Sequence, residues 1–203
     1  MNHYVVTGAN LKSGVSLLKD GDYDCDSNLM VDGDVFTYPY FFTGDVTGIK
    51  LLQQFTPDQN YLEYRITSPG VDCAITIGAV GHGYPLDSQP GWANEGIGYH
   101  ADDGRLFCEN GFGRPFGPKC TAGDRMGCGI DFKGDEDSSS SADHVRVFFT
   151  KNGHQVGDFV DFKKPNSGLY PLMGLHSRGE QLQYLGRWNH IPKGGTNTIL
   201  FQM

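Results

Sequence analysis

Between Tyr61 and Leu185 the chain never runs long enough without a break to lay a helix across a sheet. Short extended segments alternate with Gly, Pro and Asx-Gly breaks. Parallel strands need a crossover connection of about a dozen residues or more, so this spacing predicts antiparallel strands and an all-β sandwich. The clearest unit is a hairpin. Gly96 to His100 forms one arm, Ala101-Asp102-Asp103-Gly104 the turn, and Arg105 to Cys108 the return. A second hairpin joins Val145–Phe149 to His154–Gly157 through Asn152-Gly153, a pair suited to a type I′ turn in which both central residues need positive φ.

Other segments fit the same pattern. Tyr61–Ile66 alternates imperfectly, and Cys73–Val80 is the apolar run of a strand in a sheet interior. Leu169–Leu175 and Gln181–Leu185 form a last pair, while Met126–Phe132 carries two glycines. Glycine inside a strand predicts that a large side chain from a neighbour comes close there, here an aromatic. Asn28–Phe42 reads as one or two strands broken by Asp32-Gly33-Asp34 and Pro39. Helical or irregular pieces are expected to be short at most.

Composition excludes several functions. The 203 residues carry a net charge of −8 with no basic run, which argues against a nucleic-acid partner. The five cysteines, Cys25, Cys73, Cys108, Cys120 and Cys128, form no C-x-x-C pair. A zinc site is therefore not expected, and the thiols read as reduced and mostly buried. The sequence shows no basic-then-apolar leader, no apolar run of membrane-spanning length and no N-glycan acceptor. These features predict a soluble cytoplasmic protein, with the nucleus left open and no membrane partner.

The chain divides into an N-terminal extension, 1–50, packed on the sandwich or adding strands to it, and a domain spanning 51–203. The extension holds Asp20, Asp22, Asp24, Asp26, Asp32 and Asp34. A calcium loop would need a glycine at its sixth position and a closing glutamate, and both are missing, so a solvated turn or edge is expected. An acidic, serine-rich insertion at 133–144 has no apolar anchor and predicts a mobile surface loop. In it, Ser140 precedes Asp143 by three positions, as acidophilic kinases prefer.

No catalytic residue, metal or cofactor is predicted. His100, Asp102 and Asp103 are the right residue types for acid–base or metal work, but across a tight turn their side chains are expected to diverge. The simpler reading is aspartates capping turn amides. There is no G-x-S-x-G elbow and no P-loop lysine after the Gly111-Phe112-Gly113 or Gly127-Cys128-Gly129 clusters. Cys108, Cys120 and Cys128 read as small core residues.

With the strands placed, residues 55–186 resemble the SPRY domain family, most closely its Ran-binding protein M-like subgroup. The words that carry the likeness run in order: Pro90-Gly91-Trp92, Gly98-Tyr99-His100-Ala101-Asp102-Asp103-Gly104, Phe116-Gly117-Pro118, Gly123-Asp124-Arg125-Met126-Gly127-Cys128-Gly129, Phe148-Phe149-Thr150-Lys151-Asn152-Gly153, Leu169-Tyr170-Pro171, Gly174-Leu175 and Gly179-Glu180. The resemblance implies a bent sandwich of two antiparallel sheets. It also implies a monomeric, non-catalytic module that binds a protein or peptide through loops at one end, without a cofactor. Carried onto this chain, those loops hold Gly81, His82, Gly83 and Tyr84, and His176, Ser177 and Arg178. Relatives that bind Asn-rich peptides carry an aromatic in the last loop, whereas this chain has His176-Ser177-Arg178, so their ligand motif does not transfer. Trp92 is expected to serve mainly as scaffold and secondarily as an anchor; Tyr99 is expected in the core. Partner contact is assigned to His82, Tyr84, Trp92, His176, Ser177 and Arg178. The alternative is a lectin-like sandwich binding carbohydrate, with Trp92 or Tyr84 stacking on a sugar ring.

Overall fold

The structure, a computed structural model, describes residues 17–42, 45–132 and 143–189. They form fourteen strands and, among the described residues, no helix. In chain order these are β1 (Tyr23–Cys25), β2 (Met30–Asp32), β3 (Val35–Thr37), β4 (Thr47–Leu51), β5 (Tyr61–Pro69), β6 (Thr76–Val80) and β7 (Gly96–His100). There follow β8 (Arg105–Cys108), β9 (Arg114–Pro115), β10 (Arg125–Asp131), β11 (His144–Lys151), β12 (His154–Lys163), β13 (Tyr170–Leu175) and β14 (Glu180–Trp188). Two seven-stranded antiparallel sheets result. The first runs β1-β4-β13-β6-β7-β8-β9 and the second β12-β11-β10-β5-β14-β3-β2. The antiparallel sandwich is as the strand spacing predicts.

Alternation along each strand makes the core. Ile77, Tyr99, Met173 and Leu175 of the first sheet meet Leu62, Tyr64, Cys128, Val147 and Phe149 of the second in one buried cluster. Tyr99 is in this core, and its hydroxyl donates to the Pro118 carbonyl. All five cysteines are free, with Cys120 and Cys128 buried. Burial pushes the Cys73 and Cys120 thiols up to about 11, so neither is a ready nucleophile.

The β11–β12 turn has positive φ at both Asn152 (55°) and Gly153 (79°), as a type I′ turn requires. The β7–β8 turn is different. Only Gly104 has positive φ (72°), and its amide reaches back to the His100 carbonyl. The Asp-Gly pair thus closes a longer turn than a two-residue I′ loop.

The N-terminal strands enter both sheets. β1 pairs with β4 and β4 with β13, while β3 pairs with β14. A boundary at residue 50 therefore falls inside β4. Residues 133–142 of the acidic insertion, including Ser140, lie outside the described residues; His144, placed in that insertion from sequence, already pairs with Lys163 in β11.

Two features of the outer faces position the site. On the first sheet, the long β6–β7 connection lies flat against the strands, and the floor beneath it is glycine. A Cβ on Gly98 would stand 2.1 Å from the Pro90 carbonyl oxygen, and one on Gly78 would meet Pro90 Cβ at 2.5 Å. On the second sheet, the β10 glycines receive the aromatics that their pattern predicts. Phe148 lies over Gly129 and Tyr61 over Gly127, the two rings stacking at 5.8 Å. The Tyr61 hydroxyl donates to the buried Glu63 carboxylate at 2.6 Å, and Arg125 pairs with the same group at 3.2 Å.

Candidate interaction surface

The residues assigned to partner contact separate into two places. β6 and β13 are antiparallel, with Val80 opposite Tyr170 and Thr76 opposite Gly174. The loop leaving β6 therefore starts at one end of the sandwich, whereas the loop leaving β13 lies at the other. His82 stays near the β13 entrance, edge-on to the Tyr170 ring at 5.3 Å. His176, Ser177 and Arg178 are at the opposite end. The expectation that both loops flank one site is corrected by this antiparallel register.

Tyr84 is also corrected as an exposed ring. It is only 4% exposed and packs with Val80 and Leu172 on the outer face of the first sheet. Its hydroxyl donates to the Gln89 carbonyl at 2.6 Å and accepts the Ala93 amide at 2.9 Å, tying the β6–β7 loop to itself. Tyr84→Phe is expected to cost about 1–2 kcal/mol, since it leaves both loop groups without their partner. Urea denaturation measures this, and an unchanged midpoint would show that the bridge contributes nothing.

The same loop then carries Trp92 back across the sheet to the far end. Trp92 stacks on His100 at 5.9 Å and meets His176 edge-on at 6.1 Å. At 37% exposure it is both scaffold and surface. Three further elements converge there. The Arg178 carbonyl accepts the Val71 amide, and Gly179 lies against the Tyr40 ring. Tyr40 is 70% and Val71 61% exposed, and His176 and Arg178 are exposed between them. Pattern reading from the sequence passed over Tyr40 and Val71 because both sit in connections; exposed large apolar residues on loops were the available signal.

The loop that presents His176 and Arg178 is held from beneath. Glu180 Oε2 accepts the amides of His176 (2.7 Å) and Ser177 (2.9 Å), and Oε1 accepts the Ser177 hydroxyl (2.7 Å). Ser177 Oγ also accepts the Asp72 amide. Ser177 is thus buried and acts on loop shape. Burial raises the Glu180 carboxyl above its usual range despite these donors. A groove of about 680 Å³ elsewhere, lined by Leu17, Leu52, Tyr184 and Arg187, offers less. Its cation is engaged, since Arg187 donates to the carbonyls of Gln53, Gln54 and Gln59.

His100, Asp102 and Asp103 do not diverge. One ligand-type atom from each lies within 4.8 Å of the others, on a turn that spans residues 101–104 as the sequence predicts. Asp103 does cap the turn, accepting the Arg105 amide at 2.9 Å. His100 is buried beneath Trp92 and against Phe107, 4.1 Å away, which pushes its pKa down to about 3 and keeps it neutral.

With this arrangement in view, the family model of the SPRY domain matches residues 60–186. The chain belongs to the SPRY domain family. Human SPRY domain-containing protein 3 is 41% identical over 156 residues, covering 77% of this chain and 34% of that protein. Human Ran-binding protein 9 is 38% identical over 120 residues, covering 59% of this chain and 15% of its own length. A crystal structure of a human SPRY domain superposes with a TM-score of 0.70 at 38% identity, covering 79% of this chain and 96% of that one. The SPRY domain of human HERC1, at 17% identity and a TM-score of 0.58, shares the fold. The chain spans about a third or less of the curated relatives it matches. SPRY domains are protein-interaction modules, and that general role extends to this SPRY domain.

Proposed function

We propose that this SPRY domain captures a short extended segment of a protein partner across the end of the sandwich formed by Tyr40, Val71, Trp92, His176 and Arg178. The observation that carries this reading is the convergence of exposed apolar side chains from three connections around a fourth, rigidly held loop that offers an arginine. Aromatic and arginine side chains are the residue types that dominate binding energy at interfaces. Pre-ordering by Glu180 lowers the entropy that binding must overcome. Arg178 suits a carboxylate or backbone carbonyl on the bound segment. No reacting group is required, and the domain acts as a non-catalytic binder. His82 and Tyr84 are left out of the surface, and Ser177 supports it from below.

Selection from a random displayed peptide library, followed by fluorescence anisotropy on the enriched peptides, tests the reading. Arg178→Ala and Val71→Asp are expected to raise Kd at least about tenfold, roughly 1.4 kcal/mol each. Both should leave the melting temperature within about 2 °C, because exposed substitutions rarely change stability. Phe112→Ala, exposed in the β8–β9 connection at the other end, should bind as the parent does. Unchanged affinity in both surface variants would place the contact elsewhere.

A further inference from the structure

We propose that the β7–β8 turn holds a zinc-like divalent transition-metal ion between His100, Asp102 and Asp103. Three observations point there. First, the three side chains bring one ligand-type atom each within 4.8 Å of one another. Second, Asp102 Oδ1 is buried with no hydrogen-bond partner, and the His100 ring that faces it is only 5% exposed. Third, His100 Nδ1 and Asp102 Oδ1 are 4.0 Å apart, too far for a hydrogen bond between them. Ligand atoms at about 2.1 Å from a tetrahedral zinc stand about 3.4 Å apart, so a small side-chain rotation closes the gap onto an ion.

The surroundings suit this assignment. With Nδ1 on the metal, Nε2 carries the proton and needs an acceptor, as ligating histidines usually have. Thr76 stands directly opposite His100 across the strand pair, and Gln89 lies over Gly174, the residue opposite Thr76 on its other side. Thr76 Oγ1, Gln89 Oε1 and His100 Nε2 are all buried and unpartnered, so this hydrogen bond forms only when one of the two oxygens turns toward the ring. Arg105 Nε is 3.7 Å from Asp103 Oδ2 and the Lys119 charge also acts on Asp102, so the carboxylates are only partly balanced. One histidine and two carboxylates leave a fourth position for water. Because Trp92 stacks on His100, the ion would stiffen the platform under the proposed peptide surface.

The test uses the purified chain stripped with chelator and titrated with Zn²⁺ by calorimetry and with Co²⁺ by visible absorption. The wild type is expected to take up one equivalent, to show a tetrahedral Co²⁺ band, and to melt about 5–10 °C higher at roughly a hundredfold excess over Kd. Asp102→Asn and Asp103→Asn should each weaken binding at least about tenfold, and the double variant should lose the band. Both aspartates are partly exposed, and the apo melting temperatures of the variants check that folding is intact. No uptake by wild type at a large excess of metal over protein, or equal uptake by the double variant, would overturn the proposal.

Discussion

Gly98→Ala is expected to lower stability by about 3 kcal/mol, moving the melting temperature down by about 6–12 °C. Its new Cβ would meet the Pro90 carbonyl oxygen at 2.1 Å, and backbone, unlike a flexible side chain, cannot turn aside. The β6–β7 connection must then lift from the sheet. Lifting it exposes the outer cluster of Val80, Tyr84 and Leu172 and moves Trp92 off His100. A glycine with open space around it provides the comparison. Gly111 has no heavy atom near its hypothetical Cβ, so Gly111→Ala should stay within about 0.5 kcal/mol of the parent. Urea denaturation of the two variants decides the matter. If Gly98→Ala is as stable as Gly111→Ala, the loop does not bear on the strand as the structure has it.

The second large effect is expected on the opposite face. Arg125→Ala leaves the Glu63 carboxylate buried without its cation, while the Tyr61 hydroxyl still donates to it. Removing one partner of a buried pair costs about 3–5 kcal/mol, and the partly exposed arginine places this case near the lower figure. Adding Glu63→Gln removes the stranded charge, and the side-chain amide that replaces the carboxylate can still accept the Tyr61 hydroxyl. The double variant should therefore recover more than half of the loss. If it is no more stable than Arg125→Ala, the cost lies in lost packing by the arginine stem rather than in an uncompensated charge.

The fold was largely legible because it depends on local rules. Period-two alternation, Asn152-Gly153 and the glycines of β10 each carry their meaning within a few residues. Even the aromatics over Gly127 and Gly129 could be anticipated, though not which rings they were. The short strands β1, β4 and β9 escaped that reading, since two to five residues among aspartates, glycines and prolines leave too little pattern. The surface was half legible. Trp92 and His176, both named from the sequence, do meet at one end of the sandwich with Arg178 beside them, but grouping them with His82 and Tyr84 ignored the direction of β6 relative to β13. That direction follows from antiparallel pairing, so the sequence contained the correction once the strands were paired.

By itself, the sequence determined the class of the fold, its two clearest hairpins and its family, because turn chemistry and side-chain alternation are short-range. Only the tertiary structure decided that Tyr84 is buried and that Tyr40 and Val71 lie exposed beside the loop of Arg178 and Gly179. It also decided that His100, Asp102 and Asp103 converge. Each of these depends on how distant segments cross the sheets: the loop over the glycine floor, Gly179 against Tyr40, and a turn that folds back on its own strand. The short strands dictate a sandwich, but which loops meet at its end is set by register and by the space glycine leaves free.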